Sequence, residues 1–206
     1  MRYGIFGGSF DPPHEGHLHV AHSARHALSL DSVLWIPAPD PPHKARPGTP
    51  YIHRLAMTRL AVAGHAGHEV SDIESRLPSP SYTIHTVEAL KAERGAGHDW
   101  HLLVGADNWA IFPTWHRHAE LMREVTVAVY PRGGITLGDL PEGVVRLDFP
   151  EVDAESRSIR QDLARSGESA ASSLLPGLRE YCREHGLYGL KRDGGAGIPM
   201  RDLEQA

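Results

Sequence analysis

A chain of 206 residues is long enough to bury one substantial core and short for two independent domains, and its formal charge of −5 lacks the cationic balance that broad binding to a nucleic-acid backbone needs. One cysteine, Cys182, excludes an internal disulfide framework and a cysteine-based zinc cluster. No stretch is apolar for long enough to span a bilayer and the start does not read as a secretory signal, so the expectation is a cytoplasmic protein that needs neither membrane nor nucleic acid.

Residues 3–6 read as a short buried strand, followed by the glycine-rich run GGSFDPPHEGH. The next helix carries Val20, Ala21, Ala24, Ala27 and Leu28 on one stripe. A second strand over 32–36 ends in PAPDPPHKARPGTP, which can continue neither a helix nor a central strand and is a long loop. Ile52, Leu55, Ala56, Leu60 and Ala63 mark a second helix, an edge strand follows at 69–73, and a third helix runs over 82–93 with Ser81 placed to cap it. Apolar runs at 100–104 and 125–130 are further buried strands, with a weaker one at 144–149. Helices over 158–165 and 173–185 close the chain, and the glycine-rich residues 191–206 read as a disordered tail. Strands alternating with helices predict an α/β domain over 1–190. It is Rossmann-like and doubly wound, its sheet mostly parallel with helices on both faces.

In such a sheet the first strand-to-helix turn is where a nucleotide phosphate meets a helix N-terminus. Gly7 and Gly8 let backbone N–H groups approach phosphate oxygens, and Ser9 adds a hydroxyl. The run is neither GxGxxG nor GxxxxGK[ST], so neither of those phosphate sites is implied. His14 and His17 stand three apart at the expected helix start, where both imidazoles lie on one exposed face of its first turn beside the positive end of the dipole. An isolated HxxH is more often two surface histidines. A zinc pair is disfavoured because HExxH and a nearby third ligand are both absent. Most other histidines stand singly among polar residues (His65, His68, His98, His101, His116 and His118) and are expected to be solvated.

GGSFDPPHEGHL resembles the HxGH signature region of the nucleotidyltransferase superfamily, and in this extended form it is similar to bacterial nicotinate-nucleotide adenylyltransferases. PPHKARP, PSYTIHT, LLVGADNWAIFPTWH and the closing REHGLYG follow in the order and spacing of that family, so the resemblance covers residues 2–190. It implies attack of a mononucleotide phosphate on the α-phosphorus of ATP with loss of pyrophosphate, Mg²⁺ carried on the triphosphate, and no covalent enzyme intermediate. The partners implied are ATP and nicotinate mononucleotide, and a homo-oligomer stays compatible with the sequence.

By resemblance, His14 and His17 are catalytic and contact the ATP phosphates, with Gly7, Gly8, Ser9 and Phe10 forming the phosphate-side wall. Gly105 and Asp107 lie against the ATP adenosine; read from the residues alone, Asp107 either accepts from ribose hydroxyls or caps the helix that follows. His43 and Lys44 sit near the mononucleotide phosphate, Trp115 stacks on the pyridine ring, and backbone N–H groups at Tyr82 and Thr83 meet the nicotinate carboxylate. Ser156, Ile159 and Arg160 match a phosphate-holding helix start. There the family's ISSTxIR pattern becomes AESRSIR, with Glu155 and Arg157 where hydroxyl residues are usual. Ala38 and Pro39 also replace polar asparagines of some relatives, which bears on the choice of pyridine nucleotide. The rival readings are the same transfer to nicotinamide mononucleotide or to both acceptors, transfer to phosphopantetheine, whose enzymes are shorter and lack FPTW and PSYT, and a nucleotide-binding regulator without turnover.

Overall fold

The computed structural model describes residues 1–42, 47–167 and 174–191. Within these, six strands form one sheet: β1 (Arg2–Gly8), β2 (Ser32–Pro37), β3 (His68–Val70), β4 (Asp99–Gly105), β5 (Thr126–Tyr130) and β6 (Val145–Arg146). Their order is β3-β2-β1-β4-β5-β6. Every pairing is parallel, with Ile5 opposite both Leu34 of β2 and Leu102 of β4. Helices α1 (Glu15–Ala27), α2 (Tyr51–Val62), α3 (Thr83–Arg94), the single turn α4 (Ala106–Trp109) and α5 (His118–Glu124) lie between the strands, and α6 (Ser156–Ser166) and α7 (Leu178–Glu184) follow the last of them.

Strand periodicity splits the core between the two faces of the sheet. Tyr3, Ile5, Leu34, Ile36, Leu102, Val104, Val127 and Val129 turn to the face covered by Ile84, Val87 and Leu90 of α3 and Leu121 of α5. Their neighbours Phe6, Val33, Trp35, Leu103, Ala128 and Tyr130 turn to the other face, against Ala21 and Ala24 of α1 and Val62 of α2. Outside that layer, Met57 and Ala61 of α2 pack on Ile159 and Leu163 of α6 and on Leu178 and Cys182 of α7. Chain order reverses between β1 and β4, and the connections after these two strands leave in opposite directions. This is the switch point at which an open parallel sheet forms a crevice beyond its carboxyl ends.

The expected alternation and order of elements hold, with local corrections. Ser81 is not the cap of α3; Tyr82 holds that position, and the Ser81 hydroxyl instead accepts from Asp40 N–H at 3.4 Å. The expected strand at 144–149 contracts to two residues, and the edge strand expected at 69–73 is present but lies at His68–Val70, with a 3₁₀ turn following at Ile73–Arg76. His68 and His101 are buried rather than solvated. His68 Nδ1 accepts from Trp35 Nε1–H at 3.0 Å, and its Nε2 lies 3.3 Å from His22 Nδ1. Isolated polar neighbours in sequence hid this, because Trp35 and His22 come from other elements. Residue 173, where the last helix was expected to start, and nearly all of the expected tail lie outside the described residues.

Candidate active site

A cavity of about 1140 Å³ opens over the carboxyl ends of β1, β2, β4 and β5. Its floor is the turn after β1. Gly8 is required there by close approach, because a Cβ would stand 2.9 Å from the Phe10 ring. Phe10 is 1 % exposed, and its ring packs edge-on to Phe6 and His17 and beside Trp35, so its side chain belongs to the core while the turn's backbone faces the cavity. The turn is held from behind by three side chains distant in sequence, two from α6 and one from the 3₁₀ turn at Leu187–Gly189. Arg160 Nη1 donates to Asp11 O at 2.5 Å, Ser156 Oγ donates to Pro12 O at 2.9 Å, and Tyr188 OH donates to Asp11 Oδ1 at 2.8 Å.

His14 is the N-cap of α1 and His17 sits in its first turn, with ring centroids 3.7 Å apart. His14 N–H donates to His17 Nδ1 at 3.2 Å, which leaves the ring proton of a neutral His17 on Nε2. Both line the cavity yet are only 5 % and 7 % exposed, so the expectation of an exposed pair is corrected. Phe6 and Phe10 cover one side of the His17 ring. Burial, with the Arg132 guanidinium as a second cause, lowers the His14 pKa to about 4, so this imidazole is neutral at neutral pH.

Arg132, just beyond β5, is the cation that sequence reasoning missed; nothing in PRGG distinguishes it from an ordinary turn arginine. It lines the cavity, and its Nε stands 3.6 Å from Asp107 Oδ2. Asp107 is not a helix cap, since Gly105 takes that position for α4; Asp107 Oδ1 accepts from Asn108 Nδ2 at 3.3 Å. Gly105 has no room for a Cβ, which would lie 2.6 Å from Asp107 Oδ1 and 2.9 Å from Arg132 Cδ. Glu155, Ser156, Arg157 and Arg160 reach the same cavity, and the Glu155 charge acts on Arg132. Ile159 does not line it; it is buried against Leu163 and Leu178.

The opposite wall is made by Glu74, Tyr82, Thr83, Thr86, Trp115 and His116. Tyr82 stacks on His116 with centroids 4.5 Å apart, and Trp115 packs on Phe112. Tyr82 N–H donates to Pro80 O at 2.8 Å and is therefore committed, which corrects its expected part in carboxylate binding. Thr83 N–H, at the first position of α3, has no partner within the helix and remains available. Glu74 is 8 % exposed and accepts from Thr86 Oγ1 at 2.8 Å; burial raises its pKa to about 7. His43 and Lys44 lie outside the described residues.

Comparison with known proteins places these features in a family. Residues 5–162 match the cytidylyltransferase-like family. A protein named probable nicotinate-nucleotide adenylyltransferase from Gloeobacter violaceus is 40 % identical over 199 residues, covering 91 % of this chain and 96 % of that protein. One of the same name from Exiguobacterium sibiricum is 38 % identical, covering 91 % and 99 %. The Plasmodium falciparum nicotinic acid mononucleotide adenylyltransferase, solved in complex with NaAD, superposes with a TM-score of 0.77 at 17 % identity, over 93 % of this chain and 99 % of that one, a likeness of fold.

Proposed function

We propose, from the premise that this chain belongs to the cytidylyltransferase-like family and within it to the nicotinate-nucleotide adenylyltransferases, that it transfers AMP from ATP to nicotinate mononucleotide, forming deamido-NAD and pyrophosphate in the cytoplasm. The observation that carries the reading is the buried His14 and His17 pair at the switch point, facing across one cavity an aromatic wall that ends in the N-terminus of α3.

A phosphate oxygen of the mononucleotide attacks the α-phosphorus of ATP as the bond to the bridging oxygen of pyrophosphate breaks. No side chain becomes bonded to substrate. The protein's task is to hold the two phosphates in line and to stabilise negative charge as it grows. ATP lies over the turn after β1, with Gly7, Gly8, Ser9 and the backbone of Phe10 toward its phosphates and Gly105 and Asp107 toward its adenosine. His17 donates through Nε2 to the α-phosphate. His14, neutral because of burial and Arg132, donates a hydrogen bond rather than a charge, and Arg132 supplies positive charge close by. Ser156 and Arg160 act here by holding the carbonyls of Pro12 and Asp11 under the turn.

Trp115 faces the pyridine ring and Thr83 N–H its carboxylate, with His43 and Lys44 assigned to the mononucleotide phosphate by resemblance alone. Mg²⁺ belongs to the ATP in this reading. Among the described residues no group of three or more His, Cys, Asp or Glu side chains is placed to hold a metal ion. Bound with the triphosphate, it would supply charge neutralisation for the departing pyrophosphate. The test is pyrophosphate release with ATP and nicotinate mononucleotide; no release with any pyridine mononucleotide overturns the proposal.

A further inference from the structure

Arg54 is 1 % exposed in the middle of the molecule, a position where an arginine needs a reason. Its guanidinium reaches four backbone carbonyls. Nη1 donates to Ser9 O at 2.8 Å and to Ala38 O at 2.9 Å, Nε donates to Thr49 O at 3.1 Å, and Nη2 to Pro39 O at 3.4 Å. The Tyr51 ring packs against it, with the guanidinium carbon 5.5 Å from the ring centroid. Ser9 belongs to the turn beneath the ATP phosphates. Ala38, Pro39 and Thr49 belong to the loop after β2, whose residues Pro41, Pro42, Pro47 and Gly48 line the other side of the same cavity.

That loop is in turn fastened to the acceptor wall. Ser81 N–H donates to Asp40 O at 3.1 Å, Asp40 N–H donates to Ser81 Oγ at 3.4 Å, and Ser79 Oγ donates to Asp40 Oδ2 at 2.5 Å. Ser81 stands two residues before Thr83. Hydrogen bonds joined by short stretches of backbone therefore run from Ser9 through Arg54 to Ala38 and Pro39, and on through Asp40 and Ser81 to the start of α3.

We infer that Arg54 is a positioning residue for the transfer, a clasp that fixes the distance between the turn under the ATP phosphates and the segments that hold the acceptor. The inference rests on the proposed function. Each substrate is held by its own segment, so loosening the clasp leaves individual binding almost intact. It disturbs the alignment of the two reacting phosphates, and a misplacement of about 1 Å can cost on the order of 10² in rate. Lysine keeps the charge but cannot reproduce the planar fork that serves four acceptors at once.

Arg54→Lys is compared with the unaltered protein for ATP binding alone, for nicotinate mononucleotide binding alone, and for turnover at saturation of both. The expected result is dissociation constants within about threefold of normal and turnover lowered by about 10². Turnover within threefold of normal, or a loss confined to the affinity of one substrate, overturns the clasp. A second measurement needs no variant. In the unaltered protein labelled with ¹⁵N-arginine, the shielded Arg54 Nε–H signal shifts when either substrate is added singly, because its acceptors belong to both segments; a signal that answers neither overturns the inference. Absence of turnover in the unaltered protein with either pyridine acceptor refutes the adenylyl-transfer reading itself, a result distinct from both.

Discussion

The His14 backbone N–H donates to Nδ1 of His17 at 3.2 Å, so the residue that caps helix α1 also fixes the orientation of the imidazole one turn into it. In the proposed reaction His17→Ala lowers turnover by about 10²–10³, the range for removing one donor from a developing oxyanion. Because His17 is buried and touches Phe6 and Phe10, the variant also loses some stability. Turnover is therefore read well below the variant's melting temperature, and a near-normal value there removes His17 from the catalytic set.

Arg132 brings positive charge to the site and adds to burial in keeping His14 neutral. Replacing it with methionine is expected to raise the KM for ATP by tenfold or more, as one charge-assisted phosphate contact is lost. The same variant raises the His14 pKa from its value of about 4, since one of the two causes that depress it disappears. Histidine ring signals followed by NMR against pH check the second effect independently of activity. An unmoved titration would show that burial alone keeps His14 neutral.

Glu74 makes the empty protein less stable as pH rises. Its folded pKa of about 7 lies above the ordinary 4.5, so its contribution is complete below about pH 4.5 and is lost as pH climbs toward 7. Glu74→Gln keeps the acceptor for Thr86 Oγ1 and removes the ionisation. At pH 8 the variant is expected to be more stable than the parent by on the order of 2 kcal/mol, with the difference gone at pH 4.5. Urea melts at the two pH values decide it, and equal stabilities at pH 8 would mean that the carboxyl ionises without cost.

His68 behaves in the opposite sense. Burial, aided by the charges of His22, His65 and Arg25, depresses its pKa to about 4, below the ordinary 6.5. Its contribution is complete above about pH 6.5 and is lost as pH falls from there toward 4. His68→Gln, whose side-chain oxygen can accept from Trp35, is expected to lose less stability than the parent between pH 7 and pH 5. A parallel decline in the two proteins would assign the acid sensitivity elsewhere.

Sequence alone made the sheet and the floor of the site legible, because both are written locally. The buried runs around Ile5, Leu34, Leu102 and Val127 have the periodicity of strands, and two glycines before a helix start announce a phosphate turn. What escaped depended on contacts distant along the chain. Arg132 and Arg54 look like ordinary surface arginines in sequence, and only folding brings one against Asp107 and the other under Ser9 and Ala38. The burial of His68 was hidden for the same reason, since Trp35 covers it from another strand, while that of His17 depends on Phe10 folding back from the turn just before its helix. Ile159 matched a motif for phosphate binding, yet the helix turns it toward Leu163 and Leu178 while Ser156 and Arg160 reach the turn.

The choice between the two pyridine acceptors tests the account most directly. A carboxylate and a carboxamide have nearly the same shape, so discrimination must come from donors and charge. With Tyr82 N–H committed to Pro80 O, Thr83 N–H and the positive end of α3 remain to meet the carboxylate. An amide can turn its oxygen to that donor but carries no charge, so it forgoes the charge-assisted part of the bond and the attraction of the helix end, roughly 1–2 kcal/mol, a preference of about 5- to 30-fold. Steady-state pyrophosphate release at saturating ATP and magnesium, with nicotinate mononucleotide and its amide in turn, gives kcat/KM for each. Nicotinate mononucleotide is expected to have an advantage of about fivefold or more; equal or greater specificity for the amide would contradict the nicotinate assignment.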